Sequence, residues 1–216
     1  MRSAFYFTLG SRNTKMKPHF KTETINYYEC CAERYVSETL HLDLREIYSP
    51  FLEHLPAKAK ILDVGCGSGR DSLYFLEKGF DVTAIDATAA MCRMASQVIG
   101  REVAQMRFDQ INWRETFDGV WCCAALLHVP KSEIEKTFEK LFDALKIGGV
   151  LFISLKQGVG EKIENGRFFA YYQWEEIERT LSKFDPVEII RFWRTGDVRE
   201  TNQKQVWLNS IATRKF

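Results

Sequence analysis

The segment Leu62-Asp63-Val64-Gly65-Cys66-Gly67-Ser68-Gly69 constrains this chain more than any other. A short apolar strand, Ile61-Leu62-Asp63-Val64, runs into a G-x-G-x-G turn. An amphipathic helix over residues 71–78 follows and stops at Gly79. Glycines at such a turn allow positive φ and let the backbone approach a ligand closely. Open α/β sheets receive ligands here, beyond the carboxyl end of the first strand. Taken alone, the glycines fit an ordinary tight turn equally well.

The same alternation continues along the chain. Residues 81–85 read as a strand, 89–99 as a helix ended by Gly100, and 103–108 and 117–122 as further strands. Ser132 with Glu135 has the capping-box pattern, and Ile134, Phe138, Leu141, Phe142 and Leu145 follow at helical spacing. Gly148-Gly149 leads into an apolar strand at 150–155, and Trp174, Ile177, Leu181 and Phe184 mark another helix. Strands near 187–192 and 205–211 finish the chain with no helix between them, so they pair antiparallel. The fold predicted is α/β: a Rossmann-like, doubly wound, seven-stranded and mostly parallel sheet with an antiparallel last strand. Ahead of it, Val36, Leu40, Leu44 and Ile47 recur at helical spacing until Pro56. Residues 1–19 show neither period and read as a loose extension. The expected organisation is that extension followed by a single domain at 20–216, with a helical cap at 20–57 and the α/β core at 58–216.

Charge and cysteine usage narrow the class. Thirty basic residues against 29 acidic ones leave a net charge of +1, with no block of like charge, so DNA is not an expected partner. The six cysteines, at 30, 31, 66, 92, 122 and 123, form no C-x-x-C pair. Their spacing suggests neither a metal site nor a disulfide framework, and reduced thiols in a cytoplasmic protein are the simplest account. No apolar stretch reaches the length of a membrane span, and the run at residues 4–9 is too short for a signal-peptide core.

Three carboxylates sharpen the glycine turn. Asp63 precedes the first glycine by two residues, where it repels a pyrophosphate but suits a cationic amino group. The dinucleotide fingerprint also wants a small residue where Arg70 stands. Asp86 ends the second strand, about 20 residues beyond the turn, where a carboxylate can accept both hydroxyls of a ribose. Alone, it fits a helix cap. Asp109 follows the third strand, within reach of a base edge or in a plain turn.

These segments, with Phe117-Asp118-Gly119-Val120-Trp121 and Leu145-Lys146-Ile147-Gly148-Gly149-Val150-Leu151, occur in the order and at the intervals of class I S-adenosylmethionine-dependent methyltransferases. The chain resembles that superfamily over residues 24–216, and within it the small bacterial tellurite-resistance-type methyltransferases. Asn26-Tyr27-Tyr28 with Ala32 and Tyr35 is similar to their cap helix, and Leu126-Leu127-His128-Val129-Pro130 to the segment after their fourth strand. The tail Thr195-Gly196-Asp197-Val198-Arg199 with Trp207-Leu208-Asn209 has a subfamily look but suggests no chemistry. The resemblance implies S-adenosylmethionine as cofactor, met by Gly65, Cys66 and Gly67 mainly through backbone. It implies that Tyr28 closes over the methionine end, Arg70 or Asp71 flanks it and Cys122 lies near it. It places Asp86 on the ribose, Ala87 and Met91 near the adenine, and Asp109 and Gln110 along the base edge. Met91 fits a plain core role as well.

Methyl transfer from a sulfonium is an in-line displacement, and a base is needed only if the acceptor must lose a proton. His128 is the best-placed base, with a structural histidine at a strand–helix junction as its alternative. Tyr28 is a second catalytic candidate and equally a lid residue. No Asn/Asp-Pro-Pro-Tyr-like segment follows the fourth strand, and no proline precedes Cys122-Cys123, so the usual arrangements for methylating DNA bases are missing. Gly166-Arg167-Phe168-Phe169-Ala170-Tyr171-Tyr172 can complete an acceptor pocket, Arg167 reading an anion, or form a packing cluster. A small-molecule methyltransferase leads these readings. The others are a non-catalytic module that keeps the ligand fold, and a nicotinamide-dependent oxidoreductase.

Overall fold

A computed structural model describes residues 19–199 and 203–215, with side chains from residue 22 onward. Its seven-stranded sheet has the order β3-β2-β1-β4-β5-β9-β8. The strands are β1 (Lys60–Val64), β2 (Asp81–Asp86), β3 (Ala104–Gln105), β4 (Phe117–Cys123), β5 (Leu145–Lys156), β8 (Val187–Gly196) and β9 (Val206–Arg214). The first five pair in parallel, whereas β9 runs antiparallel between β5 and β8. The Rossmann-like sheet and its antiparallel last strand are therefore as the sequence predicts. A separate hairpin, β6 (Glu161–Glu164) with β7 (Arg167–Ala170), was not anticipated.

Period-two alternation divides the core. Leu62, Val64, Val120, Cys122, Leu151 and Ile153 face α5 (Ile134–Ala144) and α6 (Trp174–Leu181), which cover them with Phe138, Leu141, Ile177 and Leu181. On the other face Ile61, Trp121, Val150 and Phe152 pack under α2 (Arg45–Leu52) and α3 (Arg70–Glu77) through Ile47, Phe51 and Phe75. Trp121 stacks on Phe152 with ring centroids 3.8 Å apart. The alternation on this second face changes character towards the carboxyl ends of the strands. Asp63, Cys123, Ser154 and Lys156 follow the apolar residues there, on β1, β4 and β5, and Asn209 on antiparallel β9 stands opposite Ser154.

Four boundaries differ from expectation. The cap is two helices, α1 (His19–Thr39) and α2, because a turn at Thr39–Leu42 and the Asp43 carboxylate, which accepts from the Arg45 N–H at 3.0 Å, break the run. Val36 therefore packs on Ala90 and Met91, while Ile47 joins the cluster under α3. The third strand is only two residues long, since Phe108–Gln110 curls into a 3-10 turn closed by the Gln110 side chain on the Arg107 N–H at 2.9 Å. Ser132 caps nothing: Glu133 stands at the N-cap of α5, without a side-chain cap bond. β5 begins earlier, at Leu145, because its pairing with β4 shifts register between Phe117 and Gly119 across the Gly148-Gly149 turn. The expected extension at 1–19 lies outside the described residues except for His19.

α1 is fastened to the core by a residue the sequence does not advertise. Glu29 accepts from Ala89 N at 2.6 Å and Ala90 N at 3.0 Å, filling the first orphan donors of α4 (Ala89–Ile99) from a different helix. We expect Glu29→Ala to lower unfolding free energy by about 1–2 kcal/mol in urea denaturation. An unchanged midpoint would show that water replaces the carboxylate at no cost.

Candidate functional site

The chain winds outward through β1, β2 and β3 and then returns to lay β4 on the other side of β1. The strand order reverses between β1 and β4, and the site lies at that switch, beyond the carboxyl ends. Two adjoining hollows occupy it, each of about 170 Å³. Both are lined by Tyr28, Tyr35, Gly65, Gly67, Cys123, Ala124 and His128. The β2-side hollow adds Asp86, Ala87, Met91, Met106, Phe108 and Asp109. The β5-side hollow adds Cys66, Arg70, Ser154, Lys156, Arg167, Phe169 and Asn209.

Backbone geometry shapes the wall between them. Gly65 has φ +74°, and a Cβ there would stand 2.6 Å from the Ala125 Cβ, so the turn admits no side chain. Ala124 also lies in the left-handed region, with φ +53°, and its small side chain limits the resulting strain. Asp86 holds the loop from below: Oδ2 accepts from Gly67 N at 3.1 Å, and Oδ1 accepts from both Thr88 N and Thr88 Oγ1 at 3.0 Å. Oδ1 is thereby filled, while Oδ2 retains capacity for one more donor. Burial raises the Asp86 pKa despite these bonds. The oxygens expected from sequence to meet a ribose are thus the ones that also hold the glycine loop and the start of α4.

Asp63 does not line either hollow. It is buried under the first turn of α3, where Ser72 Oγ donates to it at 2.6 Å. Burial, and then the charge of Asp71, push its carboxyl up, favouring the neutral acid. The charge attraction assigned to it from sequence is corrected accordingly. Asp71 beside it is the ionised partner. Although burial opposes its charge, Arg70 Nε at 2.6 Å, Tyr48 Oη at 2.5 Å and Trp121 Nε1 at 2.9 Å donate to it and hold its pKa low.

Two further expectations are corrected. Cys122 is wholly buried on the α5 side, its thiol 3.8 Å from the Val64 carbonyl, because strand alternation turns it away; Cys123 lines both hollows instead. Gln110 is spent on closing its own turn and lines neither hollow. The remaining sequence candidates, Tyr28, Gly65, Cys66, Gly67, Arg70, Asp86, Ala87, Met91, Asp109 and His128, come together here. Lys156, Ser154 and Cys123 were missed. For Ser154 and Lys156 the signal was available in the period of Phe152-Ile153-Ser154-Leu155-Lys156, which puts them on the face of Phe152.

The two catalytic candidates meet. Tyr28 Oη and His128 Nε2 are 3.0 Å apart, and His128 Nδ1 lies 2.6 Å from the Phe168 carbonyl oxygen. A carbonyl only accepts, so Nδ1 carries the proton and Nε2 receives the Tyr28 hydroxyl. Phe168 N donates in turn to Thr24 Oγ1 at 2.9 Å, so the backbone of one β7 residue clamps both α1 and His128. Burial, with Arg167 and Lys156 nearby, pushes the His128 pKa down to about 4. A neutral imidazole whose lone pair is already engaged is a weak base at neutral pH.

The comparisons with known proteins agree with this architecture. The structure superposes with a TM-score of 0.74 on a 1,6-didemethyltoxoflavin-N1-methyltransferase from Burkholderia thailandensis with bound 1,6-didemethyltoxoflavin and S-adenosylhomocysteine, at 20% identity over 91% of this chain and 87% of that one. It superposes at 0.70 on the magnesium protoporphyrin IX methyltransferase of Synechocystis with bound S-adenosylmethionine, at 16% identity over 94% and 100% of the two chains. The sheet order and the glycine turn at its switch point define the class I methyltransferase architecture. Residues 61–149 match the family model described as a methyltransferase domain. Over those residues the chain is similar to that methyltransferase family, and its fold is that of the S-adenosylmethionine-dependent methyltransferases on which it superposes. A putative methyltransferase YqeM of Bacillus subtilis is 37% identical over 109 residues, which are 47% of this chain and 44% of that protein. The chain thus matches less than half the length of that relative.

The His128 environment has a measurable signature. Its folded-state pKa lies below the usual value of about 6.5, so protonation favours the unfolded chain. Any stability that depends on the neutral ring is full above pH 6.5 and declines as pH falls through about 4. The His128 ring resonance in NMR should stay at its neutral position down to about pH 5; a midpoint between 6 and 7 would refute the buried, neutral assignment.

Proposed function

We propose that this chain binds S-adenosylmethionine across the two hollows and catalyses transfer of its methyl group to a small molecule. The observation that carries the reading is the acidic Asp86 at the end of β2, its Oδ2 with spare acceptor capacity, beside a glycine loop too tight for side chains. The cofactor supplies a methyl group activated on a sulfonium sulfur. In this assignment Asp86 Oδ2 receives a ribose hydroxyl, and Ala87, Met91 and Asp109 flank the adenine. Gly65, Cys66 and Gly67 present backbone to the ligand, while Arg70 reaches the methionine end.

Tyr28 and Tyr35 then close over the centre of the cavity from α1 and exclude water from the reacting atoms. Catalysis by this arrangement rests on holding donor and acceptor in line. His128 serves as a positioning residue that fixes the Tyr28 hydroxyl, in place of the general base the sequence allows. The near-neutral balance of charge supports a small-molecule acceptor over a polyanion.

Calorimetric titration with S-adenosylmethionine, S-adenosylhomocysteine and NADH tests the reading. The two sulfur ligands should bind and NADH should not; binding of NADH alone, or of none of the three, refutes it. Asp86→Ala should weaken S-adenosylmethionine binding by about tenfold or more, since a hydrogen bond to a charged group is lost and the Gly67 loop is released. Equal affinity in the two proteins would remove Asp86 from the site.

A further inference from the structure

The β5-side hollow holds two cations, Lys156 and Arg167, that make no ion pair among the described residues. Lys156 is only 9% exposed, and its Nζ sits 4.0 Å from the centroid of the Phe169 ring. It makes no ion pair among the described residues. The carboxylates that act on it are engaged elsewhere: Glu164 accepts the Tyr171 hydroxyl at 2.8 Å, and Asp197 holds Arg199 at 2.6 Å and Trp207 Nε1 at 3.2 Å. The Arg167 guanidinium lies 4.4 Å from the Tyr27 ring centroid and 5.1 Å from that of Phe169, and its buried Nε has no hydrogen-bond partner. The other two cations of this hollow are paired, Arg70 with Asp71 and Arg199 with Asp197, each at 2.6 Å. Asn209, fully buried on the neighbouring strand, also leaves its Oδ1 without a partner.

Unneutralised cations withdrawn from water are costly unless something compensates them. Burial, and then the repulsion of Arg199 and Arg167, depress the Lys156 pKa, which is the response of a cation lacking its counter-charge. Lys156, buried, and Arg167, half-buried, line one hollow and define a place for an anion. Aromatic rings close around it, with Phe169 below Lys156 and Tyr28 and Trp207 along the wall.

We propose that the methyl acceptor is a small organic acid with a flat apolar body, whose carboxylate is anchored between Lys156 Nζ and the Arg167 guanidinium. This rests on the methyl-transfer reading above. A guanidinium fork matches the two oxygens of a carboxylate, and an ammonium adds a point charge free to turn towards either. The rings supply the apolar contact that a largely enclosed small ligand requires. The anchor also explains the tail motif: Asp197 engages Arg199 and Trp207, and Thr195 accepts from Asn209 Nδ2 at 3.0 Å, which fixes the wall behind Lys156.

The test uses protein saturated with S-adenosylhomocysteine and titrated, at constant ionic strength, with benzoate, 3-phenylpropanoate and indole-3-acetate against their primary amides. At least one acid should bind about tenfold or more tightly than its amide. Lys156→Met and Arg167→Met should each abolish that preference, whereas Arg167→Lys should retain part of it. A far-ultraviolet circular dichroism spectrum of Lys156→Met that superimposes on that of the unaltered protein verifies that the variant is folded. With S-adenosylhomocysteine bound, equal affinity for acids and amides, no binding of any acid, or an undiminished preference in Lys156→Met would each overturn the inference. Failure of S-adenosylhomocysteine to bind the unaltered protein would instead refute the methyl-transfer reading on which it rests.

Discussion

Asp71 keeps its charge where water does not reach, and its two oxygens are shared among Tyr48 from α2, Trp121 from β4 and Arg70 from its own helix. One carboxylate thus joins the cap, the sheet and the loop-bearing helix. Removing one partner of a buried ionic group leaves the others unsatisfied, which costs about 3–5 kcal/mol, a large part of the stability of an ordinary domain. Two other features follow from the same charge. Arg70 is steered towards the cavity and against the Thr39 carbonyl at the end of α1. Asp63, next to a carboxylate that is already ionised, is left with the neutral form.

Period and punctuation made the core legible. Apolar runs bordered by glycine, after β1, before β2 and ahead of residues 150–155 of β5, identify those strands, and the missing helix before the last strand gives its antiparallel pairing. The features that escaped are those in which a side chain competes with the periodic signal. Asp43 interrupts an apparently continuous helical face, and Gln110 turns a third strand into a tight bend. Nothing local marks Glu29, because its partners are donors on a helix 60 residues later.

The cavity was legible in a similarly uneven way. Motif residues such as Gly65 and Asp86 come from consecutive strand ends, so their meeting follows from the topology alone. Cys122 and Cys123 show the limit: neighbours in sequence face opposite sides of the sheet, and an error of one residue exchanges core for cavity. Lys156 and Asn209 sit on apolar strands adjacent in the sheet but about fifty positions apart in the chain. Only the antiparallel insertion of β9 beside β5 brings their polar faces together.

Tyr28 roofs both hollows, and α1, which carries it, is held at one end by Thr24 on β7 and further along by Glu29 on α4. The two compartments therefore share one wall, carried on one helix. A displacement of α1 changes the shape of both at once. A motion that adjusts one ligand's surroundings thus reaches the other's even if the ligands never touch.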